Sequence, residues 1–412
     1  MQFENNSQDY EQEMIKRYQQ DINENALSFY KNSAIKSLKF IEQFNITRLG
    51  INQCINIDLQ TIPNNVTSLN INNSNLTYLS GIQLSSQLKI LDLSENSINE
   101  IKFLQSLSNL VHLSLSDNQL QEISELESLL LLQYLDLSQN QIKNLNSLQS
   151  LSNLRYLDLG QNKLVDISPL SRLIRLEELN LCRNPIRNLN QVSNLINLKI
   201  LNLIGCDLED ISNLSKLINL VDLNLSMNKI STIHALRDLR SLQTLNLCRN
   251  SVCDISPLYN LEGLVDLNLG ENQLTDISTL QNLKNLSSLM LYRNNIVHIE
   301  ALIPLNLTRL YLNENQIQNV QCFMHPNKGN FVIQIQNEPV LENIIISLRG
   351  KVIFNAKKQL EKMKMNKENN LKVKIKWFKS QIGDKVEEAT LMQVYFSGNV
   401  AGLFEQLNND SQ

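Results

Sequence analysis

Along most of the chain the apolar residues fall in one fixed order, LxxLxLxxNxIxxIxxLxxLxx. Read from Leu88, the order restarts at Leu110, Leu132, Leu154, Leu176, Leu198, Leu220, Leu242, Leu264 and Leu286, each 22 residues on. It restarts once more at Leu307, after 21 residues. An earlier copy begins at Val66, and two weaker ones begin near Ile46 and near Glu24. Within each copy the xLxLx segment has period two, which predicts a short strand with both leucines on one side. Leu91 and Leu93 face one way, and Ile90, Asp92 and Ser94 face the other. One such strand cannot bury its leucines alone. Stacked neighbours share them, which predicts a parallel sheet running through the array. The return segments, such as ISPLSRL at 167–173, are too short for a long helix and predict a 3-10 or single-turn helix.

The asparagine column is the most specific part of the pattern. Its members are Asn32, Cys54, Ser74, Asn96, Asn118, Asn140, Asn162, Asn184, Cys206, Asn228, Asn250, Asn272, Asn294 and Asn315. Asn fills eleven of these places, and the other three residues are small and also form hydrogen bonds. An inward amide at each turn is expected to satisfy backbone groups of its own loop and the next one. The column reaches back to Asn32 where the leucines weaken, giving about fourteen units.

These residues identify the leucine-rich repeat. The 22-residue form resembles that of bacterial internalins and of the leucine-rich regulatory subunit of protein phosphatase 1. The DISPL words at 166–170 and 254–258 are shared with that class. YEQEMIKRYQ, IKSLKFIEQFNI, VTSLNI and YFSGNVAGLFEQLN resemble the Asn/Gln-rich leucine-rich-repeat family of diplomonad protists. The resemblance implies an α/β solenoid of horseshoe form, with a parallel concave sheet, 3-10 or short helices on the convex side, and helical caps.

The ends differ from the middle. Of eleven Phe, only Phe103 lies between Leu88 and Gln321. Bulky aromatics suit the covering of an open core face. The expected organisation is an N-terminal helical cap over 1–23, a solenoid over 24–323 and a mostly helical C-terminal cap over 324–412. Residues 351–379 carry ten Lys against two Glu, with Leu371, Ile375, Phe378 and Ile382 at helical spacing. LKVKIKW also alternates, so a strand competes there. The Lys-rich stretch reads as a solvated cap face; docking to an anionic membrane or nucleic acid is the alternative.

Composition narrows the function classes. The 412 residues are 42% hydrophobic and 19% charged, with a net charge of −4, too small to indicate nucleic-acid binding. Leu is roughly 18% and Asn roughly 14% of the chain, both above ordinary usage. No apolar run is long enough to span a membrane and no signal peptide is visible, so a cytoplasmic location with reduced cysteines is expected. No Walker loop, GxGxxG, HExxH, GxSxG or CxxC occurs, and no histidine has a metal-ligand partner in register. Cys182 and Cys248 share a strand position but stand three repeats apart, about 15 Å by strand spacing and beyond disulfide reach. Asp92, Asp136 and Asp158 suggest an acid/base pair. However, Asn180, Asn202, Asn224, Asn246 and Asn268 continue the same column, so it reads as a polar ladder. The expected function is a non-enzymatic protein-binding scaffold without cofactor, metal or small-molecule substrate. A monomer is expected, and regulation of a phosphatase is the narrower alternative.

Inner-face positions give the candidate partner sites. Met290, Tyr292, Arg293, Arg309 and Tyr311 gather on two adjacent strands, and Tyr, Met and Arg are enriched at interfaces. A second group is His112, Tyr134 and Tyr156, flanked by Asp117, Asp136 and Asp158. Against the first group, Arg249, Glu271, Arg293 and Glu314 alternate in sign down one column and so can pair along the surface. The tyrosines have no such account, because Asn246, Asn268 and Asn313 stand at corresponding positions. The Tyr292/Tyr311 patch is therefore the leading candidate.

Overall fold

The computed structural model describes residues 24–317, apart from 33–36, 55–57, 78, 80, 81 and 83, together with the backbone of 332–334. The chain divides into two compact units, 1–220 and 221–412. In the first unit, nine strands pair in parallel and in chain order. They are β1 (Ala26–Tyr30), β2 (Arg48–Asn52), β3 (Ser68–Asn70), β4 (Ile90–Asp92), β5 (His112–Ser114), β6 (Tyr134–Asp136), β7 (Tyr156–Asp158), β8 (Glu178–Asn180) and β9 (Ile200–Asn202). The second unit has β10 (Asp222–Asn224), β11 (Thr244–Asn246), β12 (Asp266–Asn268), β13 (Ser288–Met290), β14 (Arg309–Tyr311) and β15 (Val332–Gln334), paired the same way. The fourteen expected units supply β1 to β14. The fifteenth strand falls inside the stretch expected to be a mostly helical cap, so parallel pairing continues past residue 323. The rest of 324–412, including the Lys-rich run, lies outside the described residues, as does the expected cap over 1–23.

Registers put leucine over leucine. Leu69, Leu91, Leu113, Leu135, Leu157, Leu179 and Leu201 are Cα partners in succession within the first unit, and all are buried. Each leucine taken from water contributes about 1.5–3 kcal/mol, and a lone repeat could not bury it. The return segments are five-residue or shorter 3-10 helices, such as Ser168–Arg172 and Ser256–Asn260. The DIS words start them. Asp166 accepts from the Ser168 backbone N–H at 2.8 Å and from its hydroxyl at 2.9 Å, and Asp210, Asp254 and Asp276 repeat the arrangement.

The asparagine column bonds to its own loop and the preceding one, not the next one as expected. The Asn162 amide donates to the carbonyls of Leu137 (2.9 Å), Leu159 (3.1 Å) and Gly160 (3.3 Å). Its oxygen accepts from the N–H of Ile142 at 3.0 Å. Asn118, Asn140, Asn184, Asn272 and Asn294 repeat this set. Cys206 supplies only the donor half, its thiol reaching the Leu181 carbonyl at 3.2 Å. The N–H of Ile186, without an amide oxygen to meet, turns to the nearby Asn184 carbonyl, and Arg187 takes a positive φ of 59°.

Two further columns were not visible in the pattern. The residue before each ladder position is left-handed. Glu95, Asp117, Gln139, Gln161, Arg183, Met227, Arg249, Glu271, Arg293 and Glu314 all have φ between 52° and 59°. Of this column only Gly205, at φ 62°, adopts that conformation without a side-chain penalty. The bend aims the following amide inward and keeps pairing going; Gln139 N–H, for example, reaches the Gly160 carbonyl at 2.8 Å. The second column lies on the return side. Asn109, Asn153, Asn197 and Asn219 in the first unit, and Asn285 in the second, each donate to a carbonyl 23 residues earlier, at 2.7–2.8 Å.

Asn162→Leu leaves the Ile142 N–H without its acceptor in a buried turn and takes one of two donors from each of the Leu137, Leu159 and Gly160 carbonyls, and is expected to destabilise by about 2–4 kcal/mol. Asn162→Cys keeps a donor and should cost clearly less. Equal losses in denaturant unfolding would remove the ladder from its structural role. At the left-handed position, Gln161→Val should cost about 1–2 kcal/mol from backbone strain, while Gln161→Gly should be nearly neutral. Indistinguishable unfolding midpoints for these two variants would show that the turn relaxes.

Candidate functional site

On the solvent face of a strand, side chains on either side of each core leucine point outward, so one residue type repeated at one position forms a row across strands. In the first unit, His112, Tyr134 and Tyr156 are successive Cα partners on β5, β6 and β7. Their rings stack nearly parallel. Centroids are 3.8 Å apart between His112 and Tyr134 and 4.2 Å apart between Tyr134 and Tyr156, with interplanar angles of 7° and 5°. The three are half-buried. Ile90 precedes them on β4 and Glu178 follows on β8.

The next row holds carboxylates. Asp92, Asp136 and Asp158 sit on β4, β6 and β7, with Ser114 between the first two. Asp158 accepts from the Gly160 N–H at 2.8 Å and from the Asn180 amide at 2.9 Å. Burial nevertheless holds it above the usual carboxylate range, and the Asp136 charge adds to this. Burial also pushes up both tyrosine hydroxyls, with neighbouring Asp charges contributing. His112 is held below its ordinary value by burial, against opposing pulls from Asp92 and Asp136.

The second-unit patch is arranged differently. Arg293 lies between Glu271 (3.5 Å) and Glu314 (2.8 Å), and Arg249 reaches Glu271 at 2.9 Å. The alternating column is thus a run of ion pairs, as the charge pattern allowed. Arg309 reaches past the buried Ser288 to Asp266 at 3.4 Å. Tyr292 has an internal explanation that the sequence reading denied it. Its ring leans over Gly270, where an added Cβ would stand 2.4 Å from Cε1, and its hydroxyl meets the Cys248 thiol at 3.1 Å. Burial, with that contact, pushes the hydroxyl up to about 12. Met290 and Tyr311 are direct Cα partners on β13 and β14, whereas Tyr292 stands in a different row from Tyr311. The five residues are neighbours, but three of them serve contacts within the unit. The signal for Tyr292 was the small residue in its own row one repeat back, with a thiol beyond it.

Chemistry of other kinds finds little support. Among the described residues no group of three or more His, Cys, Asp or Glu is placed to hold a metal ion, and no helix is long and apolar enough to cross a membrane. An open, mainly polar hollow on the return side is lined by Glu122, Ser124, Glu127, Asn146, Gln149 and Arg172.

Comparison with known proteins agrees with this geometry. The family description "Leucine Rich repeats (2 copies)" matches residues 86–128 and 131–172. An internalin, InlF, of Listeria monocytogenes is 30% identical over 63% of this chain and 81% of its own, with a TM-score of 0.57. A leucine-rich-repeat protein of Leptospira interrogans is 24% identical over 82% of this chain and 92% of its own, with a TM-score of 0.64. The Arabidopsis receptor kinase HAESA, solved with the peptide hormone IDA and the co-receptor SERK1, is 25% identical over 66% of this chain and 51% of its own, with a TM-score of 0.56. No curated protein matches in sequence. The fold is a leucine-rich-repeat solenoid, and the chain belongs to the leucine-rich-repeat proteins. That family consists in general of non-enzymatic binding scaffolds.

The lowered His112 value has a stability consequence. As pH falls through about 6.5 the unfolded chain takes up this proton first, so stability held near neutrality is lost toward the folded-state value. His112→Gln should flatten that part of the profile. Comparing thermal unfolding of the two proteins at about pH 7 and about pH 5 checks this. Parallel shifts would mean that His112 is not coupled to folding.

Proposed function

We propose that this chain is a non-enzymatic scaffold that binds a protein on the strand face of its first unit, centred on His112, Tyr134 and Tyr156. The carrying observation is the three-ring stack. It runs across three strands with nearly parallel rings, each half-buried and so partly open to solvent. A preformed aromatic row loses little conformational entropy on binding, and Tyr is a common anchor at interfaces. The Tyr292/Tyr311 patch takes second place, because Tyr292, Arg293 and Arg309 already have partners in their own unit. The plant receptor HAESA, similar in fold, holds a peptide and a second protein, which favours the same use here. The reading places the protein in the cytoplasm, where the thiols of Cys54, Cys182, Cys248 and Cys253 stay reduced.

The test uses whatever protein co-purifies with the chain. Tyr134→Ala with Tyr156→Ala should weaken capture at least about tenfold, with an unchanged circular dichroism spectrum. Tyr292→Ala with Tyr311→Ala should keep capture and lower stability by about 1–2 kcal/mol, because a packed ring is lost. Full capture by the first variant and loss by the second would transfer the site to the second unit. Phosphatase activity in the captured material would mark the narrower, regulatory form of this reading.

A further inference from the structure

The residue after the first strand leucine closes the turn in the same way whether charged or neutral, although Asp92 and Asp158 also accept from the Asn70 and Asn180 amides. Asp92, Asp136 and Asp158 accept from the backbone N–H two residues on, at 3.0, 2.9 and 2.8 Å. Asn180 and Asn202, in the same row, accept from the equivalent N–H at 3.0 and 3.1 Å. The turn needs an acceptor and does not need a charge. Asp136 and Asp158 are nonetheless direct Cα partners on neighbouring strands, about 4.8 Å apart, where like charges repel. Glu95 and Asp117 stand beside them in the left-handed column.

No Lys or Arg occupies the neighbouring outward positions of β4 to β7, which are Ile90, His112, Tyr134 and Tyr156 in one row and Ser94, Ser116, Ser138 and Gly160 in another. Among the described residues, none of the five carboxylates forms an ion pair. In the second unit the acids of the left-handed column are paired, Glu271 by Arg249 and Arg293 and Glu314 by Arg293, and the residues after the strand leucine are the neutral Asn224, Asn246 and Asn268. The first unit thus holds an uncompensated negative row beside an aromatic row, at an energetic cost the fold does not require.

We propose that the β4–β7 face takes an extended cationic segment of a protein partner, its Arg or Lys heads on Asp92, Asp136 and Asp158 and its stems along the His112–Tyr134–Tyr156 stack. The proposal rests on the scaffold reading above and names its partner's chemistry. Arg fits best, since a guanidinium pairs with a carboxylate in two-point fashion and also lies against aromatic rings. Nucleic acid is repelled by the same charges.

The test titrates the full chain with fluorescent peptides of alternating Arg-Ser, Lys-Ser and Glu-Ser sequence. Arg-Ser should bind, Lys-Ser should bind more weakly, and Glu-Ser should not. Asp136→Asn with Asp158→Asn should lower Arg-Ser affinity at least about tenfold and reduce its salt dependence. Folding is safeguarded because Asn does the same turn work in the next repeats. Glu122→Gln with Glu209→Gln, on exposed return positions, removes the same charge and should leave affinity within about twofold. Equal losses in both pairs, or no Arg-Ser binding, would overturn the proposal. If the aspartate variant keeps the co-purifying protein while the Tyr134/Tyr156 variant loses it, the cationic segment falls and the scaffold reading stands. If neither variant loses it, both fall.

Discussion

Everything in this fold depends on the inward amide that ties each turn to the one before. A leucine-rich strand three residues long has too few hydrogen bonds and too little surface to persist alone. The ladder asparagine closes both deficits at once. Its donors hold carbonyls of two consecutive turns, and its acceptor holds an N–H that would otherwise be buried without a partner. Leucine burial supplies the driving force, but it is non-directional and would tolerate slippage between strands. The amide fixes the register, because its four contacts are met together only when Leu137, Leu159, Gly160 and Ile142 stand where they do. The left-handed residue before it completes the device by aiming the amide. The fold accepts strain at nearly every turn for that aim.

How much of this is legible in sequence depends on whether a position has a residue type of its own. Leucine and asparagine do, so the strands, the core and the ladder could be read directly. The left-handed column does not. Glu, Asp, Gln, Arg, Lys and Met fill most of it, few of them known for positive φ, and only Asn73 and Gly205 hint at the conformation. The return-side asparagines were visible as letters but read as composition, because their partner carbonyls lie a repeat back and carry no side-chain signature. The direction of the ladder was also undetermined. An amide at a turn could equally face the loop before or after, and only geometry chooses.

The binding face shows the same division more sharply. The row containing His112, Tyr134 and Tyr156 follows from strand period alone, yet the parallel stacking depends on ring rotation that no periodicity encodes. Tyr292 looked free because the places compared with it held Asn. Its own row holds Gly270 and then Cys248, a gap and a hydrogen-bonding thiol across two repeats, and a side chain of that length finds both. Long side chains in a solenoid can reach past their nearest neighbour, as Arg309 also does over Ser288. Reading one column at a time misses such contacts.

A repeat array offers an internal control that an ordinary domain lacks. The same structural task is solved many times in one chain, so each solution can be compared with its neighbours. Where Asn and Asp both cap the turn after the strand, the difference between them is not a matter of folding. Asn would spare the cost of a half-buried charge and the repulsion between Asp136 and Asp158. Unit two carries Asn224, Asn246 and Asn268 at this position, and sets Arg249 and Arg293 against Glu271 and Glu314 of its left-handed column. Unit one leaves its half-buried aspartates without a cation beside an aromatic row. A cost that the fold does not need, repeated in one place and relieved in another, points outward to something that meets the face. The inference is physical because it compares like positions under like geometry, with only charge and its compensation differing.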